Sequence, residues 1–89
     1  MQADLTNADD PEMVALGALT WLLSDERRAE RLLAITGLDP ETLRARAGTR
    51  DLLAAVIGFL EGHEPDLIAC ADAMGVKPEL LIAVGRALG

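Results

Sequence analysis

Tyrosine is absent from this chain, and tryptophan, phenylalanine, histidine and cysteine occur once each, as Trp21, Phe59, His63 and Cys70. Each shortage excludes something. A single cysteine forms no internal disulfide and has no CxxC spacing, so the chain reads as one from a reducing compartment. One histidine is too few for a first-row metal site, which normally draws at least two His or Cys ligands at helical spacing. His63 lies in the turn Gly62-His63-Glu64-Pro65, and an exposed turn histidine is the better reading even with Glu61, Glu64 and Asp66 nearby. Val, Ile, Thr and aromatics are scarce while Leu and Ala abound, and no useful segment alternates with period two, so no strand is expected. Long apolar runs are also missing. Met13 to Leu23 and Leu52 to Leu60 fall short of the roughly 20 residues that a membrane helix needs.

Basic residues are few, eight against fifteen acidic ones for a net charge of −7. That balance repels nucleic acid and anionic membranes at long range, so neither is a default partner. The opening MQADLTNADD reverses the charged-then-apolar order of a signal peptide, and the expectation is a cytoplasmic protein.

What is present is helix punctuation. Asp10-Pro11-Glu12 starts a helix to about Leu23; Ser24 is expected to cap a second, Asp25 to Thr36, stopped by Gly37. Asp39-Pro40-Glu41 opens a short third helix ending near Ala47, with Gly48 as its left-handed stop. Thr49 caps a fourth, Arg50 to Glu61, closed by Gly62; Pro65-Asp66 opens a fifth to Met74, stopped by Gly75; Pro78-Glu79 begins a sixth. Residues 1–10 read as a poorly ordered acidic segment, and 11–89 as one helical domain.

The chain also resembles itself. At an offset of 38 residues, ALTWL from Ala18 lies over VIGFL from Val56, and GLDPETL from Gly37 lies over GVKPELL from Gly75. The expected fold is therefore all-α, a compact six-helix domain from two pseudo-repeated three-helix units, about 12–48 and 50–86. The first and fourth helices, apolar almost all round, form the central pair, with Gly17, Ala18, Ala54, Ala55 and Gly58 allowing close backbone approach. Trp21 and Phe59 fill matching core positions.

Catalysis is not expected. Cys70 has no histidine on its own helix face, no phosphate loop follows a strand, and the paired acids Asp9-Asp10 and Asp25-Glu26 are helix-start charges. No cofactor is expected either. The stronger competing signal is a helix-turn-helix in IACADAMGVKPELLIAV, with Lys77, Glu79, Ile82, Ala83 and Arg86 on the groove-facing side. That face supplies two cations and an acid where readout wants several donors, so a nucleic-acid-binding regulator is the alternative reading. The preferred one is a non-catalytic protein-interaction module.

Two surfaces are its candidates. From Arg27 to Arg50 the local charge is +3, against −10 elsewhere. Within it, Arg27, Arg31, Arg44 and Arg46 are a candidate docking patch for an acidic protein or phosphorylated ligand; the alternative is a solvated face balanced by Glu30 and Glu41. In the last helix, Leu80 and Ile82 stand where the first unit has Thr42 and Arg44. They either fold onto the central helices or form an apolar interface, a homodimer being the simplest case.

The run ALTWLLSDERRAERLLAITGLDPETLRARAG, with the later DAMGVKPELLIAVGRAL, resembles a family of short bacterial proteins, domain of unknown function 3572, from about Ala15 to Leu88. TGLDP at Thr36 to Pro40 is the most specific piece. The resemblance implies a bacterial cytoplasmic protein and carries no activity, cofactor or catalytic residue.

Overall fold

The computed structural model describes residues 10–89, and in them the chain forms six α-helices: α1 (Pro11–Leu23), α2 (Glu26–Thr36), α3 (Pro40–Arg46), α4 (Arg50–Glu61), α5 (Glu64–Met74) and α6 (Pro78–Leu88). The acidic segment expected to be poorly ordered lies, apart from Asp10, outside the described residues. No helix among them is long and apolar enough to cross a membrane.

Local chemistry accounts for most of the boundaries. Asp10 and Asp39 each precede a proline and accept a backbone N–H, from Glu12 and Thr42 respectively. Thr49 accepts from the Leu52 N–H at 3.3 Å. These caps satisfy donors that the first helical turn leaves without partners. Gly37 (φ 75°) and Gly75 (φ 72°) end α2 and α5 in the left-handed region that side chains disfavour.

Three boundaries differ from expectation. Asp25, not Ser24, caps α2 by accepting from the Arg28 N–H at 2.9 Å. The Ser24 hydroxyl turns back and donates to the Trp21 carbonyl oxygen at 2.6 Å, closing α1. Gly48 is not left-handed, because α3 has already ended at Ala47 in a tight right-handed turn that donates to the Arg44 carbonyl oxygen. Finally, α5 begins at Glu64 with His63 in the cap position and no side-chain cap bond, the proline following at the second residue.

Three helices share the centre. α1 packs against α4, as expected, and α6 lies across both and against α5. Leu22, Leu52, Leu53, Ile57, Leu60 and Leu81 are fully buried among them, each contributing roughly 1.5–3 kcal/mol by leaving water. α2 and α5 flank the pair, each touching both central helices. α3 forms no sizeable interface with another helix among the described residues; buried Leu43 pins it.

The two glycines expected to bring α1 and α4 together face elsewhere. Gly58 is exposed with open space around its α-carbon, and a methyl on Gly17 would meet Met74 Cε of α5 at 3.0 Å. The tight contact is Gly85 of α6 on α4, where a methyl would stand 2.7 Å from Ile57 Cγ2. α6 can cross α4 so closely only because Gly85 has no side chain.

Candidate functional site

The first turn of α5 points Asp66 inward, making it the one buried acid among the described residues, 6% exposed. A carboxylate cannot stay charged in an apolar interior without partners. α2 provides them from Arg28 and Arg31, one turn apart on one face. Arg28 Nε donates to Asp66 Oδ1 at 3.4 Å, and Arg31 Nη1 donates to Oδ2. The Arg28 guanidinium also lies over the Trp21 ring, 4.2 Å from its centroid, a cation–π contact that orients it. His63 Nε2 stands 3.8 Å from Asp66 Oδ2.

One turn further along α5, Cys70 is fully buried and its thiol donates to the Met74 sulfur at 3.7 Å. Burial pushes the Cys70 thiol up to about 11, with Arg28 pulling it down and Asp66 adding to the rise. The lone tryptophan, histidine and cysteine thus gather round one acid. Each oxygen of the Asp66 carboxylate accepts from a guanidinium group, and at neutral pH the Cys70 thiol holds its proton. No group of three or more His, Cys, Asp or Glu among the described residues is placed to hold a metal ion.

A third arginine ties residues near the two ends of the described chain. Arg50 Nη1 donates to Glu12 Oε2 at 3.1 Å, and Nη2 donates to the Ala87 carbonyl oxygen at 2.8 Å. The starts of α1 and α4 are so linked to the last turn of α6, where free carbonyls accept a cation well.

The candidate docking patch is divided by these contacts. Arg31 is half-buried and engaged by Asp66, while Arg27, Arg44 and Arg46 are exposed. Arg44 and Arg46 occupy the last turn of α3, where they oppose the negative end of the helix dipole. Among the described residues the arginine ion pairs of the basic segment run to Asp66 and Glu12, both in the acidic remainder of the chain, and none runs to Glu30 or Glu41.

The candidate interface is half-covered: Leu80 and Ile82 pack against the core and are partly buried. The large apolar side chains left most open are Met13, Leu16, Leu23, Ile35 and Ile68. Sequence reasoning missed both the inward turn of Asp66 and the outward face of α1. One signal for the ion pairs was available. At an offset of 38 residues Glu12 lies over Arg50 and Arg28 over Asp66, opposite charges at aligned positions, and both pairs meet.

No curated protein and no solved structure gives a significant match to the chain. The sequence from residue 8 to residue 89 does match a family, and on that near-complete coverage the chain belongs to the family described as Protein of unknown function (DUF3572).

Proposed function

We propose that this is a non-catalytic protein-interaction module of the cytoplasm. The observation carrying the reading is where the chain spends its two kinds of side chain. Its reactive groups sit inside, with Asp66 paired to Arg28 and Arg31 and the Cys70 thiol buried, while large apolar groups remain outside at Met13, Leu23, Ile35 and Ile68. Exposed apolar groups contribute little to folding and favour association when grouped. The two-unit organisation belongs to the same reading. It is supported by the reciprocal packing of α1, α2, α4 and α5 and by ion pairs joining residues 38 apart.

The helix-turn-helix alternative draws on the glycine-closed turn between α5 and α6. Against it, α6 is packed on α1, α4 and α5 with Ile82 partly buried, and the groove-side residues left exposed, Lys77, Glu79, Ala83 and Arg86, supply two cations and an acid rather than several donors. Capture from native cell extract tests the module reading, using the wild type, a Leu16→Glu variant and a triple Arg27→Glu, Arg44→Glu, Arg46→Glu variant. A partner retained by the wild type and lost by one variant supports it. Binding to random duplex DNA at about 50 mM salt that falls steeply as salt rises favours the alternative instead.

A further inference from the structure

The outer face of α1 is the least explained surface of the molecule. Helical spacing puts Met13, Leu16, Thr20 and Leu23 within an arc of about 80°, along roughly 15 Å of helix. They are exposed while the opposite side of the helix, Val14, Ala15, Ala18, Leu19 and Leu22, is buried. Met13 is 54% exposed, Leu16 38% and Leu23 42%. Thr20 adds no unmet polar need, since its hydroxyl donates to the Leu16 carbonyl oxygen at 3.0 Å. From Met13 to Ser24 the chain has no ionisable side chain. Beside the stripe, the absence of a side chain at Gly17 leaves a notch occupied by Met74 Cε. Methionines are the side chains best able to reshape themselves to a docked surface.

Charge decides between occupants. The chain carries −7, and Asp66 is the only buried acid among the described residues, so every other acid among them is open to solvent at least in part. A second copy, an anionic membrane and nucleic acid are all repelled by such a field, and a cationic partner is drawn in. We propose that the Met13–Leu16–Leu23 face of α1 docks a cationic amphipathic helix of another protein, apolar side chains against the stripe and Lys or Arg groups toward the acids that bracket it in sequence, Asp10 and Glu12 before it and Asp25 and Glu26 after it. The proposal rests on the module reading and names its surface and partner class.

The test titrates the full chain with an 18-residue Leu/Lys amphipathic peptide and, separately, with its Leu/Glu counterpart. Binding is followed by calorimetry and by the fluorescence of Trp21, the only tryptophan. The expected result is saturable one-to-one binding of the Leu/Lys peptide alone, weakened roughly tenfold or more by Leu16→Glu. That variant is the informative one because it makes the protein more acidic. If attraction were merely electrostatic, Leu16→Glu would bind as well as the wild type or better, and that result overturns the proposal. Ile68→Glu, the same charge change on α5, is expected to retain binding, and Met13→Glu replaces Leu16→Glu should circular dichroism show the latter unfolded. Equal binding of both peptides, binding of neither, or a wild-type dimer that Leu16→Glu dissociates also overturns it. If the peptide fails while captured partners still depend on Arg27, Arg44 and Arg46, the module reading survives and only this surface falls.

Discussion

Asp66 shows how one side chain changes the meaning of several others. Alone in the sequence it reads as a first-turn acid that favours the helix dipole; in the fold it engages Arg31, one of the four docking candidates, and Arg28, whose guanidinium lies over Trp21. Asp66→Asn keeps the shape but removes the charge, leaving both guanidinium groups without their counter-ion. Those arginines are about one-third exposed and regain water, so the expected loss is about 1–3 kcal/mol, read from urea unfolding. Cys70 gives a pH dependence. Its thiol ionises near its ordinary value of 9 in the unfolded chain but near about 11 in the folded one, so the unfolded chain releases its proton first. The contribution of Cys70 to stability is therefore constant well below pH 9 and declines as pH rises from 9 to 11, by roughly 2–3 kcal/mol at most. Unfolding of Cys70→Ala should lack the decline, and a decline of the same size in that variant would assign it elsewhere.

Helix limits were largely legible in the sequence, because caps and stops act within a few residues. Asp–Pro–Glu at 10–12 and 39–41, Thr49, Gly37 and Gly75 all act as their local chemistry requires. The errors at Ser24 and Gly48 arose where two residues competed for one job and the tighter turn won. Helix-to-helix contacts were less legible. A mid-helix glycine looks the same whether it serves packing or not, and only the partner distinguishes Gly58 from Gly85. Gly58→Ala, in open space, is expected to stabilise by up to about 1 kcal/mol through helix propensity. Gly85→Ala gains the same propensity but drives a methyl into buried Ile57, and a net loss of about 1–3 kcal/mol is expected. Thermal unfolding of the two variants should shift in opposite directions.

At the scale of the molecule, α3 and α6 differ in how much of the fold they touch among the described residues. α6 is packed against α1, α4 and α5, while α3 hangs from Leu43. Stability should follow that division. Backbone amides in α1, α4 and α6 are expected to exchange with deuterium at the rate of global unfolding, and those of α3 through much cheaper local opening. Slow exchange in α3 equal to that of α6 would show that the third helices contribute alike. The α1 face belongs to this scale too. A helix apolar all round reads as buried all round, yet only assembly shows that the available helices cover one side and leave Met13, Leu16 and Leu23 open.

The sequence by itself determined the all-α class, the number of helices and most of their ends, since propensity, capping and glycine stops operate between near neighbours. It also exposed the 38-residue offset. Tertiary structure alone decided which arginines are engaged by acids among the described residues, which glycine sits at a tight crossing and which apolar face is left uncovered. Each of these depends on residues that come together only when α2 meets α5 or α6 crosses α4, and contacts over such separations leave no periodic mark in either partner's own segment.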